Sequence, residues 1–297
     1  MPTRSECQKY APELHYLYRE DINGLAPLIM ENGAVGPNPM LVNSTLYQLA
    51  FDEANNDSVV NLAANGTARR TMTVDKSGVA DIRKLKGDFT STAVLLNLWD
   101  NEYQRYLMNN PVHASTIIGS GTFPYTMPIP FLMHPTQHIR AELQDISGNP
   151  NSVRFNFEGQ RYYFDSEAFI FARTSYANKI SRPYWYTTDD DVSLAVGNNI
   201  VTAFMTIVNE ADFYLQRITT SQTGEFRVRI YNQSVGRGFT NGWVHSSVFG
   251  GTGQNYKDFE PMLLQRRTQL RFDFINMHGA TNDIYITFGG THYYYER

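Results

Sequence analysis

Apolar and polar side chains alternate along most of this chain. In the stretch EFRVRIYN, Phe226, Val228 and Ile230 fall on one side of an extended chain, and Arg227 and Arg229 fall on the other. A period of two residues is typical of a β-strand that buries one face. The same alternation occurs in TAFMTIV, DFYLQRI, WVHSSVF, TQLRFDFINM and DIYITFGG. About seven such strands, separated by polar turns and by no long helical period, predict an antiparallel β-sandwich or jelly roll.

The sequence also repeats itself. Residues 95–121 align with 227–253 at an offset of 132, and 130–163 align with 261–294 at an offset of 131. The two blocks share 16 identities in 61 positions, mostly at turn and core residue types. We therefore predict an all-β chain with two tandem antiparallel β-sandwich (jelly-roll-like) domains that arose by internal duplication.

The repeat divides the chain into four regions. These are an extended N-terminal arm with a short helix at 1–67, a first sandwich at 68–166, a linker at 167–199 and a second sandwich at 200–297. The helix is expected at 43–56, capped by Asn43 or Ser44. The arm either docks on a neighbouring subunit or the partner repeat, or lies as a strap on its own sandwich. The linker is long for a connection and carries apolar clusters at 169–171 and 183–186, which predicts that it is packed down.

The amino-acid composition limits the classes of partner that the protein is expected to bind. Only six of the 25 basic residues are lysine, leaving 19 arginines, and the chain has 19 Tyr, 18 Phe and 10 Met. These residues are typical of protein interfaces, although an aromatic β-rich core explains them equally well. The net charge of −4 argues against a nucleic-acid site, and no apolar run is long enough for a membrane span. The single cysteine, Cys7, and the lack of a secretory signal fit synthesis in a reducing compartment.

Candidate chemistry is sparse. His113 and His245 recur in both copies and are predicted to bond a loop, and the turns at 148–151 and 279–282 are predicted to be hairpins with glycine at positive φ. The pair His134 and His138 has a metal-like spacing but no third ligand nearby.

Each of the remaining candidate motifs can also be explained by an ordinary structural role. The acidic run 189–191 lacks the alternating spacing of a calcium loop and is predicted to be a solvated turn. The glycine loops GSGTFP and GGTGQN open no helix, so they do not predict phosphate binding. Trp99, Trp185 and Trp243 either form a sugar-stacking platform or serve as core and sheet-face aromatics. We predict no catalytic, cofactor or metal site.

Both copies contain the same series of short motifs in the same order. An aromatic residue precedes Asp or Asn, and then come Arg, Asn, Val-His, Gly-x-Gly, Pro, Leu, Gly-x-x-Asn and Gly-x-x-Tyr-Tyr. It resembles β-sandwich virion structural proteins of tailed bacteriophages encoded near head genes, over about residues 74–163 and 201–294. The resemblance implies a non-enzymatic decoration, cement or minor head protein that bridges neighbouring subunits. It also implies synthesis in the host cytoplasm and a place in the virion. Its partners would be the major capsid or other virion proteins, in a homo-oligomer or multi-copy assembly.

Other functions remain open at this point. The alternatives are a receptor- or glycan-binding module of a tail or fibre, or a collar or connector component. A polysaccharide-cleaving enzyme is the least favoured, because carboxylate pairs cannot be assigned from the sequence of a β-sandwich.

Overall fold

The described part of the chain folds mainly into β-strands. The computed structural model describes residues 41–50, 59–74, 76, 78–164, 181–256 and 258–294. The strands of the first half are β1 (Leu41–Ala50), β2 (Val59–Leu62), β3 (Thr67–Thr73), β4 (Val79–Phe89), β5 (Val94–Asp100), β6 (Arg105–Tyr106), β7 (Val112–His113), β8 (Tyr125–Met133), β9 (His138–Asp145) and β10 (Asn151–Phe164). The strands of the second half are β11 (Ser181–Thr187), β12 (Val192–Leu194), β13 (Ile200–Thr206), β14 (Ala211–Gln222), β15 (Phe226–Asn232), β16 (Arg237–Gly238), β17 (Val244–His245), β18 (Asp258–Leu264), β19 (Gln269–Asn276) and β20 (Asn282–Tyr294). A 3-10 turn, Ala114–Thr116, follows β7, and one short helix, α1 (Ser246–Phe249), follows β17.

The described strands form four sheets, two in each half. The first half has the strand orders β1-β10-β4-β8, with β2 also on β10, and β3-β9-β5-β6, with β7 also on β5. The second half has β11-β20-β14-β18, with β12 on β20, and β13-β19-β15-β16, with β17 on β15. The two halves therefore share one strand order. This is what an internal duplication would produce, and the duplication itself stays a prediction.

Each half closes around its own apolar core. In the first half, Ile82 and Phe157 from one sheet and Leu96 from the other are all at most 1% exposed and belong to one cluster. In the second half, Phe288 and Phe272 from opposite sheets are likewise fully buried in a second cluster. The prediction of an all-β fold with two antiparallel sandwiches is confirmed.

The alternation that predicted the strands is confirmed most clearly in β15. Phe226, Val228 and Ile230 are buried, whereas Arg227 and Arg229 lie on the opposite face. The stretch WVHSSVF differs from its prediction, because only two of its residues are in a strand and α1 follows them. The reason is local: the His245 side chain accepts a hydrogen bond from the Ser247 backbone N–H and caps the helix.

The helix predicted at 43–56 is wrong where the structure describes it. Residues 43–50 lie in β1, which pairs with β10 from Asn43 opposite Tyr163 to Ala50 opposite Asn156. A long neighbouring strand outweighs weak helix propensity, since pairing satisfies the backbone of the whole segment. Because β2 also pairs with β10, both strands belong to the chain's own first sandwich, as the strap alternative predicted. Residues 1–40 and 51–58 of the predicted arm lie outside the described residues.

The predicted linker contributes two strands to the second sandwich. Strands β11 and β12 both pair with β20, and the PYWY cluster lies in β11, where every residue is buried. The expectation that this part is packed down is confirmed. The first part, including 169–171, lies outside the described residues.

Two recurring glycines mark equivalent β-bulges. Gly159 in β10 and Gly290 in β20 both lie at register shifts against the neighbouring strand. A Cβ atom at Gly159 would come within 1.9 Å of the carbonyl O of Asp81, and one at Gly290 within 2.1 Å of that of Tyr214. The backbones approach so closely at these bulges that no side chain fits.

The turns before β10 and β20 share a recurring asparagine. The side chains of Asn151 and Asn282 are buried, and each bonds the backbone N–H and C=O of the turn that opens β5 or β15. Gly148 has φ of +72°, as predicted for a hairpin, whereas Gly279 is not among the residues with positive φ. The asparagine, rather than the glycine, is thus the common structural element of the two turns.

Candidate functional site

The recurring histidines serve the loops that follow them. His113 Nδ1 lies 2.8 Å from Ser115 Oγ, and His245 Nδ1 lies 3.0 Å from Ser247 Oγ. The prediction that this pair bonds a loop is confirmed.

The candidate metal residues have protein partners. His134 Nδ1 lies 2.9 Å from the carbonyl O of Pro135, whereas a ring nitrogen of His138 contacts the side-chain amide of Asn101. The acidic run 189–191 is exposed in the turn after β11. Over the residues that the structure describes, no group of three or more His, Cys, Asp or Glu could hold a metal ion. In the same residues, no helix is long and apolar enough to cross a membrane.

The three tryptophans do not form one platform. Trp185 is 0% exposed, so no sugar ring can stack on it. Trp99 and Trp243 are half-buried and belong to different sandwiches. The core interpretation therefore holds for Trp185, and the sheet-face interpretation for Trp99.

Trp185 is the centre of a buried contact between the two sandwiches, which we call the junction: Trp185, Arg182, Asp100, Tyr125 and Arg217. Although β11 belongs to the second sandwich, the indole of Trp185 packs in the core of the first. Its Nε1 donates a hydrogen bond of 2.9 Å to the hydroxyl of Tyr125, which is also fully buried.

The backbone around Trp185 is bonded to the first sandwich. Its N–H donates to the carbonyl of Leu107 at 3.0 Å, and its carbonyl accepts from the N–H of Asn109 at 3.3 Å. The Asn109 side chain bonds both backbone groups of Thr187 at 2.9 Å. The strand β11 is thus hydrogen-bonded to both sandwiches.

A buried ion pair crosses the junction. Arg182 Nη1 lies 3.1 Å from Asp100 Oδ2, and the two side chains are 1% and 0% exposed. Asp100 also accepts from Gln137 Nε2 at 3.2 Å and from the N–H of Glu102 at 3.0 Å. The guanidinium lies 3.8 Å from the ring centre of Tyr103. Burial raises the pKa of Asp100, and the charge of Arg182 opposes that rise.

A second arginine crosses the junction next to Tyr125. Arg217, from β14, is 3% exposed and donates to the carbonyl of Thr126 in the first sandwich. Its guanidinium lies 4.9 Å from the ring centre of Tyr125 and 4.4 Å from that of Tyr256. The hydroxyl of Tyr256 accepts from the N–H of Thr126 at 2.8 Å, and Arg217 Nε pairs with Asp258 at 2.8 Å.

The junction fixes how the sandwiches are oriented. Buried hydrogen bonds and ion pairs are directional, so rotating one sandwich against the other would leave several of these groups buried without partners. Two further contacts between the sandwiches also fix their orientation. Thr116 Oγ1 lies 2.8 Å from Thr287 Oγ1 in the interior, and the ring centres of His113 and the half-buried Tyr285 are 4.6 Å apart.

Sequence reasoning missed the junction. Four of its five residues lie outside the aligned blocks, and the fifth, Asp100, has an asparagine at the matching position of the second copy. An arginine that pairs across domains also looks like any other arginine in the sequence. The one signal was the PYWY cluster, which indicated burial but not the surface against which it packs.

His113 makes the stability of the chain depend on pH. Burial lowers its pKa to about 4, so the folded state holds the neutral ring. The unfolded chain takes up a proton below about pH 6.5. Stability is therefore fully present above pH 6.5 and falls as the pH decreases toward 4, by roughly 3 kcal/mol for this group. Burial also lowers the pKa of His292, which adds to the loss.

We expect the urea midpoint of His113→Gln to depend less on pH than that of the wild type between pH 4.5 and 7. His245→Gln, which alters the half-exposed counterpart, is the matched control and should keep the wild-type slope. Equal slopes for wild type and His113→Gln would contradict this assignment.

Comparison with protein families and with curated proteins identifies no relative of this chain. No protein-family model matches the chain. No curated protein matches it either.

Solved structures show weak likenesses that include viral capsid and turret proteins. Peptide:N-glycanase F gives a TM-score of 0.36 at 8% identity, covering 80% of this chain and 96% of that one. The VP2 subviral particle of infectious bursal disease virus gives 0.22 at 10% identity, covering 93% and 76%. The turret protein A223 of Sulfolobus turreted icosahedral virus gives 0.18 at 8% identity, covering 83% and 98%. At such TM-scores these likenesses carry no argument about activity.

Proposed function

We propose that this chain is a non-enzymatic structural protein of a virus particle, and that its two sandwiches act together as one rigid bridge between neighbouring subunits. The observation that carries the proposal is the junction, where Trp185 of one sandwich fills the core of the other and Arg182 pairs with Asp100 out of contact with water.

A rigid junction suits a bridging role. Domains joined only by a flexible linker sample many orientations, and binding of both to a fixed lattice would cost the entropy of aligning them. Here the orientation of the two sandwiches is already set, so binding of the first sandwich holds the second beside its neighbour and raises its effective concentration there. The gain in affinity requires no additional contact.

One end of the second sandwich offers an apolar contact surface. Val196, Ile200 and Met277 are 60%, 54% and 40% exposed. They are neighbours, because the side-chain amide of Asn276 bonds the carbonyl of Ala195 at 2.9 Å and ties the two turns together. Exposed apolar side chains grouped in this way are typical of protein contacts.

The finer role follows from the sequence resemblance. We propose that the particle is that of a tailed bacteriophage and that the chain is a decoration, cement or minor head protein. The excess of arginine over lysine supports this, because arginine and aromatic residues provide most of the binding energy at protein interfaces.

The test is to purify particles from cells that make this protein and to determine its stoichiometry by mass spectrometry and its position by electron cryomicroscopy. We expect a fixed copy number and a density in which the two sandwiches contact different subunits. Val196→Asp should weaken attachment to particles, whereas Val235→Asp, at a similarly exposed loop position, should not.

Two outcomes would overturn the proposal. One is a protein that remains soluble and absent from particles. The other is a polysaccharide-cleaving activity that a single Asp or Glu substitution abolishes.

A further inference from the structure

The outward face of the second sandwich carries a charged group of side chains in register. Asp273 on β19 pairs with Thr202 on β13 and with Arg229 on β15. Two residues earlier on β19, Arg271 pairs with Tyr231 on β15. Because the intervening residues fill the core, these side chains project from the same outer face. We call Arg229, Asp273, Arg271, Tyr231 and the adjacent Trp243 the arginine array.

Two arginines of the array cover one carboxylate. Asp273 Oδ1 lies 2.8 Å from Arg271 Nε, and its Oδ2 lies 3.2 Å from Arg229 Nη2. The hydroxyl of Thr202 donates to Oδ1 at 2.9 Å. Burial disfavours the charge, but the hydrogen bonds from Thr202 and the two arginines lower the pKa of Asp273. One carboxylate under two guanidinium groups leaves one net positive charge.

Most N–H groups of these arginines stay open. Among the described residues, Arg271 donates only through Nε and Arg229 only through Nη2, and the Nε of Arg229 is buried with no hydrogen-bond partner. The two side chains remain 40% and 32% exposed. A guanidinium held in place with unused donors next to solvent is preorganised for a second oxyanion.

Aromatic and amide groups surround the open donors. The Arg229 guanidinium lies 5.0 Å from the ring centre of Tyr231 and 4.8 Å from that of Trp243, which fixes its plane. The residues Asn232 and Gln233 line a depression beside Arg229, Arg271 and Tyr231, whose volume is about 510 Å³. Ring faces beside amides suit a sugar, which presents C–H groups on its faces and hydroxyls at its edge.

The first sandwich carries a looser counterpart. Glu142 lies opposite Arg69 and Asn97, and Arg140 lies opposite Trp99 in the next row. Both arginines approach the carboxylate, at 3.2 and 3.1 Å. Arg69 is 73% exposed, however, and an asparagine occupies the position of Arg229. This face is therefore less preorganised than the arginine array.

We infer that the arginine array binds the carboxylate of an acidic saccharide, with Arg271 and Arg229 donating to the carboxylate and Tyr231 and Trp243 flanking the sugar. A single net positive charge suits a monoanion, and the flanking aromatic and amide groups contact the neutral part of the ligand. The inference does not rest on the proposed function, because saccharide binding and particle attachment are measured separately.

The test is isothermal titration of the full chain with 3′-sialyllactose and with galacturonate, beside lactose and inorganic sulfate. We expect at least one acidic saccharide to bind, and lactose and sulfate each to bind on the order of tenfold more weakly or not at all. Arg271→Gln should weaken binding of the acidic saccharide by a similar factor, about tenfold. Asp273 keeps its bonds to Arg229 and Thr202 in this variant, so the fold should be retained, as thermal unfolding will verify.

The matched control is Arg154→Gln. It removes the same charge from a half-exposed arginine that pairs with Asp88 on the first sandwich, and it should leave affinity unchanged. Failure of both acidic saccharides to bind, or sulfate binding as well as they do, would overturn the inference. If Arg271→Gln bound the acidic saccharide with wild-type affinity, the inference would also be overturned, because the binding site would then lie elsewhere.

Discussion

Trp185→Ala is expected to lower the free energy of unfolding by about 3–5 kcal/mol, because it empties the volume of a fully buried indole. It also leaves the hydroxyl of Tyr125 without its donor inside the junction. Since this indole belongs to the core of the other sandwich, its loss should also uncouple the two halves. Calorimetry of the wild type should show one cooperative transition, and that of the variant two.

Trp243→Ala is the matched control for this prediction. It removes the same side chain from a half-buried position on the outer face, so we expect a loss of about 1 kcal/mol and one transition. A similar loss in both variants, or one transition in Trp185→Ala, would show that the indole does not couple the sandwiches.

Arg182→Met is expected to cost about 3–5 kcal/mol, because it leaves the carboxylate of Asp100 buried without its cation. The double variant Arg182→Met/Asp100→Asn removes both charges and keeps an acceptor for the N–H of Glu102. It should therefore be more stable than the sum of the two single variants predicts, with a coupling energy of about 2 kcal/mol. Urea unfolding of the four proteins measures this cycle.

The exposed pair Arg154–Asp88 provides the comparison. Its atoms are also 3.1 Å apart, but the side chains are 54% and 73% exposed, so Arg154→Met should cost less than about 1 kcal/mol. Equal losses at the two pairs would mean that burial does not determine the strength of the junction ion pair.

Much of the fold could be predicted because the strand period is a local property. Phe226, Val228 and Ile230 alternate with arginines whether or not their partners are known, and the recurring Gly159 and Gly290 marked positions that admit no side chain. The predicted helix at 43–56 failed for the opposite reason. Nothing local in that segment reveals that β10 offers it a free edge along residues 156–164.

The candidate sites also divide into contacts that are local in the sequence and contacts that only strand pairing creates. The bonds of His113 and His245 to serines two residues away were accessible to sequence reasoning, because both partners lie in one loop. The arginine array was not, since its residues come from β15 and β19, and strand pairing alone brings Arg229 opposite Asp273.

The sequence by itself determined the fold class, the two-part organisation and the burial of the PYWY cluster, because all three depend on the order of apolar and polar residues along the chain. Only the tertiary structure decided that Trp185 fills the core of the opposite sandwich and that Arg182 meets Asp100. These contacts join residues 60 and 82 positions apart, and the sequence does not encode them as a pattern. They arise only when both sandwiches have formed and pack against each other.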